Sequence, residues 1–182
     1  RAATIGGHNM DDYPLKMHVF NRARLIKNSK NRIPYGVDLI QKYKRESWIV
    51  FTENKKQAKE FNKIINTKGF KSALYNTDLD STERLENLNK FKKADLNVLV
   101  TCTALDEGFD MPEADGALIL SASSSKRQRV QRMGRVLRIT ESKPNALIVT
   151  VYSSKTEFDK LMEEAKRYHK EGVPVSWKRQ DR

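Results

Sequence analysis

Cysteine occurs once in the 182 residues, at Cys102, so no internal disulfide can form. Such a chain suits a reducing, intracellular compartment, cytoplasm or nucleus. Histidine occurs three times, at His8, His18 and His169, in no spacing that would hold zinc, and no metal ligand set is expected. No apolar run approaches the roughly 20 residues that cross a bilayer. The opening RAATIGGHNMDDYP lacks the build of a secretion signal, so no membrane partner is expected. Two phosphate-binding patterns are also missing: GxxxxGK[ST], whose lysine and hydroxyl hold a nucleotide and its magnesium, and the dinucleotide pattern GxGxxG. The serines around Ser121 and Ser125 form no nucleophile elbow and read as a loop and cap.

What is present is charge and period. Thirty-five basic residues face 23 acidic ones, a formal +12, which favours polyanionic partners and nucleic acid first. Residues 1–30 carry no periodicity and read as a linker or interdomain segment, with a cloning scar before Met10 as the alternative. Residues 31–172 alternate between helical patterns and short apolar runs. Val37, Ile40 and Tyr43 share a helical face, and Trp48–Phe51 reads as a buried strand. Asn54, followed by Gln57, is the cap of a helix carrying Ala58, Phe61 and Ile65 and stopping at Gly69. Ser72–Tyr75 is a strand, and Asp80 with Glu83 caps a helix whose apolar face is Leu85, Leu88 and Phe91. Asn97–Thr101, Gly116–Leu120 and Ala146–Val151 are strands, Lys126–Leu137 is a helix, and Phe158, Leu161, Met162 and Ala165 mark a last helix ending near Gly172. Residues 173–182 read as a basic tail. Short strands separated by helices predict an α/β fold, a mainly parallel sheet with helices on both faces. Its ligands belong at the carboxyl ends of the strands.

Two segments there carry the chemistry. In Lys126–Arg138, helical spacing lets Gln131, Arg135 and Arg138 point broadly the same way, with Arg132 beside them. Two guanidinium groups on one face can grip a phosphate; a solvated basic helix is the alternative. In Thr101–Asp110, Thr101 closes a strand, Gly108 permits a close approach, and Asp110 can accept a hydroxyl or position an arginine. Taken alone, this segment also reads as an ordinary acidic connection. Asp106 and Glu107 lie too far past the strand for a magnesium site, and Cys102 reads as a small buried strand-end residue.

Gln131-Arg-Met-Gly-Arg-Val-Leu-Arg138 resembles motif VI of superfamily-2 helicases, QRxGRxxR. Thr101–Pro112 resembles motif V, Trp48–Asn54 motif IV, and Tyr75–Arg84 the motif between them. The order is right, and the resemblance covers roughly residues Asn31 to Val151. The run from Asp106 through Asp110 to Asp115 is most similar to the XPB-like, RadD-like and restriction-enzyme translocase branches. The resemblance implies the RecA-like second lobe of a helicase core. Arg135 and Arg138 would be arginine fingers opposite ATP and Mg2+, which a first RecA-like domain in the same polypeptide holds. Gln131, Gly108 and Asp110 would line the nucleotide cleft. Thr101, Thr52 and Asn54 would contact strand backbone, and Arg84 would organise the domain. Gln131 stands where DEAD-box RNA helicases usually carry histidine, which favours DNA over RNA. The reading is a motor domain of an ATP-dependent DNA helicase or translocase. The alternatives are an RNA helicase domain and a non-catalytic α/β module that binds nucleic acid or protein.

Charge and the missing phosphate loop together generate a prediction. The isolated 182-residue chain will bind nucleic acid weakly, with an affinity that falls as salt rises, and it will release essentially no phosphate from ATP. Titrations at several salt concentrations beside a phosphate-release assay check both; salt-independent binding or sustained turnover by the pure chain contradicts the reading.

Overall fold

The structure, a computed structural model, describes residues 29, 31–102, 113–120 and 146–178. In chain order the described elements are α1 (Arg32–Tyr43), β1 (Trp48–Thr52), α2 (Lys55–Thr67), β2 (Ser72–Tyr75), α3 (Ser81–Lys92), β3 (Val98–Cys102), β4 (Gly116–Ile119), β5 (Leu147–Thr150) and α4 (Lys155–Lys170). The five strands form one sheet in the order β2-β3-β1-β4-β5, and all four pairings are parallel. The expected helix over Lys126–Leu137 lies outside the described residues, as do residues 1–28.

Every position of β1, β3 and β4 is buried. That is why these strands read as unbroken apolar runs rather than as alternating ones. Their side chains still divide by parity between two cores. Trp48, Val50, Val98, Val100, Leu118 and Leu120 point to one face, where α1 supplies Ile33, Val37 and Ile40 and α2 supplies Ala58, Phe61 and Ile65. Ile49, Phe51, Leu99, Ala117 and Ile119 point to the other, covered by Leu88 and Phe91 of α3. The expectation of a parallel sheet with helices on both faces holds.

One helical face differs from its expectation. Leu85 is 58% exposed, and α3 buries only Leu88 and Phe91. The inward stripe runs through Arg84, Leu88 and Phe91, at spacings of four and three, and Arg84 takes the place the pattern offered to Leu85. Asn87 fixes this rotation by donating from its amide to the carbonyl of Leu74 in β2, at 3.1 Å. The chain past α4 also departs from a loose tail. Trp177 packs edge-on against Phe158, with ring centroids 5.1 Å apart, and against Tyr152 at 6.4 Å. Lys178 lies over the Tyr43 ring.

At the amino edge of the sheet, the close approach of two strands requires glycine. Gly116 is the register partner of Trp48, which is fully buried. A Cβ on Gly116 would lie 2.6–2.7 Å from three carbons of the indole. Gly116→Ala is therefore expected to destabilise the fold by about 1–3 kcal/mol, the usual range for overpacking a filled core. Urea denaturation followed by the Trp48 environment measures this, and an unchanged midpoint would show that the indole can move aside.

Candidate functional site

Parallel strands deliver their carboxyl ends to one edge, and the segments singled out in the sequence leave the sheet from that edge. β1 lies between β3 and β4. Thr52 is the register partner of Cys102, and Phe51 of Thr101. The segment carrying Gly108 and Asp110 leaves the sheet directly after Cys102. The segment carrying Gln131, Arg135 and Arg138 leaves it shortly after Leu120. These two exits thus flank the exit of β1. The strand order also reverses here, since β1 connects toward β2 on one side while β4 connects toward β5 on the other. Such a reversal leaves a crevice, the usual ligand position in open α/β sheets.

The described residues at this edge are tightly organised. Thr52 is 3% exposed, and its hydroxyl lies 3.0 Å from the Thr101 carbonyl and 3.2 Å from that of Asn54. It stitches the end of β1 to β3 and to the turn that follows. Thr101 is 2% exposed, its hydroxyl directed to the Cys102 carbonyl at 3.3 Å. Cys102 is buried at the strand end, as expected. Asn54 caps α2: its side-chain oxygen accepts from the Gln57 amide at 2.9 Å, while the Gln57 side chain accepts from the Glu53 amide at 2.8 Å. This reciprocal pair satisfies donors that a helix start leaves open. Thr52, Thr101 and Asn54 are therefore brought together, but each spends side-chain hydrogen bonds within the chain.

Across the turn, Asp78 accepts from Lys55 and from Lys59, the latter at 2.9 Å. Hydrogen bonds from the two ammonium groups hold its carboxyl below the usual carboxylate range. All three side chains meet solvent, so salt screens the pairing and it adds little stability. Arg84 is half-buried on the inner side of α3, and its Nε has no hydrogen-bond partner among the described residues. Gly108, Asp110, Gln131, Arg132, Arg135 and Arg138 lie outside the described residues. Among the described residues no group of histidine, cysteine, aspartate and glutamate could hold a metal ion. Likewise, no described helix is long and apolar enough to cross a membrane.

Sequence reasoning missed a buried polar group on the β4 side of the same edge. Arg32 in α1 reaches Glu157 in α4, 125 residues away. No local pattern links two residues so far apart.

Residues 31–140 match the helicase conserved C-terminal domain. The chain belongs to this family. Among curated relatives, the DNA 3'-5' translocase XPB2 of Sulfurisphaera tokodaii is 36% identical over 71% of this chain and 28% of its own length. The ATP-dependent RNA helicase DBP3 of Ajellomyces capsulatus is 28% identical over 87% of this chain and 32% of its own. This helicase C-terminal domain thus spans about a third or less of these relatives. Among solved structures, the C-terminal domain of the DEAD-box protein Dbp5 superposes with a TM-score of 0.68 at 21% identity, covering 80% of this chain and 82% of that one. The fold is the RecA-like fold of a superfamily-2 C-terminal lobe.

The cap of α2 offers a test at this edge. Asn54→Ala should cost about 1 kcal/mol of stability, and Asn54→Asp should retain most of it. Chemical denaturation of the three forms decides; equal midpoints would mean that the hydrogen bond to Gln57 adds nothing net.

Proposed function

We propose that this domain is the second lobe of an ATP-dependent DNA translocase or helicase, and that it supplies positive charge to a nucleotide held mainly by a first RecA-like lobe. The observation that carries this reading is topological. The exits of β3 and β4, one leading to Gly108 and Asp110 and the other to Gln131, Arg135 and Arg138, flank β1 at the carboxyl edge. Two segments that mean little alone thereby leave the sheet on either side of one strand, which supports reading them together. The greater identity to a DNA translocase than to an RNA helicase supports DNA as the track.

The donor set at this edge fits the completion of a polyphosphate site rather than its construction. Two guanidinium groups and a carboxamide can meet anionic oxygens, but the sequence has no loop to wrap phosphates and no lysine within one. Mg-ATP, when bound by the other lobe, supplies the phosphoanhydride that is cleaved. Arg135 and Arg138 stabilise negative charge that grows on the transferred phosphoryl oxygens. Gln131 and Asp110 orient those arginines and the sugar, and Gly108 leaves room for close approach. At the neighbouring exits, Thr101, Thr52 and Asn54 set the positions of strand-end backbone groups, through which a strand phosphate is contacted. Their side chains contribute by placement, since each is engaged inside the domain. Closure of the lobes on nucleotide and their release afterwards would then move those contacts along the strand.

Arg138→Ala in the full-length protein should slow hydrolysis while leaving ATP binding and most strand affinity intact. Arginine fingers contribute on the order of 10³–10⁵ in rate, and neighbouring cations place the expected loss at or below the lower end. Arg138→Lys should rescue poorly, because an ammonium keeps the charge but not the planar fork. Single-turnover hydrolysis at saturating ATP, with single-stranded DNA and RNA compared as stimulants, tests both parts. Wild-type chemistry in the alanine variant removes Arg138 from the site; stronger stimulation by RNA reverses the choice of track.

A further inference from the structure

At the carboxyl edge, between the exits of β1 and β2, one carboxylate holds two ammonium groups. Lys55 is the first residue of α2, and Lys59 lies one turn further on the same helical face. Nζ of Lys55 donates to Oδ1 of Asp78, and Nζ of Lys59 pairs with Oδ2 at 2.9 Å. Each carboxylate oxygen thus meets its own cation. Hydrogen bonds from both lysines lower the Asp78 pKa, so at neutral pH the group is an anion.

A pinned turn presents Asp78 to the lysines. Asn76, directly after β2, is 3% exposed. Its side-chain oxygen accepts from the Asp78 amide at 3.0 Å, and its carbonyl accepts from the Leu79 amide at 3.3 Å. Asp80 then caps α3, accepting from the Glu83 amide at 2.8 Å. A short side chain on such a turn has little freedom. The lysines differ: their side chains are 43% and 58% exposed, and their flexible stems let the ammonium groups turn to another acceptor. Cohesion does not account for the arrangement, since exposed pairs add little stability. What meets solvent is a two-cation seat for the oxygens of an anion, filled by the chain's own carboxylate. Asn54 and Thr52, at the exit of β1, immediately precede it in the chain.

We propose that Lys55 and Lys59 form a seat for a backbone phosphate of a nucleic-acid strand, and that Asp78 fills this seat in the strand's absence as an internal competitor that lowers affinity. This rests on the reading of the domain as one that moves along a strand. A phosphodiester carries one negative charge over two free oxygens, as a carboxylate does, so the two are exchangeable between a pair of ammonium groups. Exchange leaves the number of cation contacts unchanged, and the gain on binding is therefore small. With the carboxylate neutralised, the lysines are open to the strand, and the phosphate contact adds its full counterion release.

The test measures affinity of the full-length protein for a dye-labelled single-stranded oligodeoxynucleotide, without nucleotide, over a range of salt. Asp78→Asn keeps the shape of the side chain and removes its charge. It should bind about 3- to 10-fold more tightly at low salt, with a log–log salt slope steeper by about 0.7. Glu86→Gln is the control for charge alone, because it unpairs Lys90 within α3 in the same way; it should change affinity less than about two-fold. The deciding comparison is a cycle. In a protein carrying Lys55→Ala and Lys59→Ala, adding Asp78→Asn should give no gain. All these side chains are exposed, and unchanged melting temperatures verify that the variants fold.

Wild-type affinity in Asp78→Asn, or a gain no larger than that of Glu86→Gln, overturns the proposal. A gain that persists without the two lysines overturns it as well, because the effect is then a general field and not a seat. ATP affinity, measured without strand, should not respond to Asp78→Asn; a matching rise there assigns the seat to nucleotide phosphates instead. In each of these cases the strand reading itself stands. If the wild-type protein binds no strand at any salt, that reading fails and the seat with it.

Discussion

Burial of the central strands on both faces is the constraint from which the rest of this domain follows. β1 and β3 expose no side chain to water, so their backbones can be satisfied only by strand neighbours and their side chains only by helices above and below. Parallel neighbours cannot be joined by tight hairpins; each connection must cross over and begin at the carboxyl edge. All loops that could bear chemistry are thereby delivered to one side. The crevice is thus a product of topology before it is a product of any site residue. Thr52, bonded through its hydroxyl to the Thr101 carbonyl, keeps the two central exits in register.

Arg32 and Glu157 are harder to explain by stability. Removing both charges from water costs several kcal/mol per ion, and their attraction repays this only with good geometry and full satisfaction. Arg32 is well satisfied, but Glu157 leaves one oxygen without a hydrogen-bond partner among the described residues. An apolar pair would serve cohesion as well. It could not hold two strand-end carbonyls and a helix start in fixed relation. The arrangement makes sense where the direction of a strand exit matters.

Much of the architecture was legible because its signals are local. Asn54 with Gln57 and Asp80 with Glu83 announce helix starts, and capping hydrogen bonds occupy both places. Unbroken apolar runs announced β1, β3 and β4. Where two faces of a helix competed, local pattern failed: Leu85, Leu88 and Phe91 make a plausible stripe, yet a hydrogen bond from Asn87 to β2 rotates Arg84 inward instead. Trp177 looked like part of a solvated tail because its partners, Tyr152 and Phe158, lie some 20 residues earlier. Arg32 carried no signal at all, since an arginine before Ile33 and Pro34 reads as an ordinary helix start. The site residues expected in the two segments that follow β3 and β4 rest on the resemblance and lie outside the described residues; spacing alone left a solvated basic helix open.

The distribution of charge bears on the proposed division between strand binding and phosphate chemistry. Residues 121–145 hold seven basic residues and one acidic residue, which is half of the formal +12 of the whole chain. Elsewhere several lysines are locally paired: Lys55 and Lys59 with Asp78, Lys90 with Glu86, Lys155 with Asp159, and Lys166 with Glu163. A surplus meant only for solubility would have no reason to gather in the segment that leaves β4. Charges closer together than the Debye length, about 8 Å at physiological salt, act as one field on a polyanion. On the proposed reading, attraction of a strand would belong to the segment as a group rather than to any single cation. Phosphoryl transfer asks for something else, a donor fork within hydrogen-bond reach of one oxygen, which neighbouring charge cannot replace. On the proposed reading, affinity would therefore be the robust property and chemistry the fragile one.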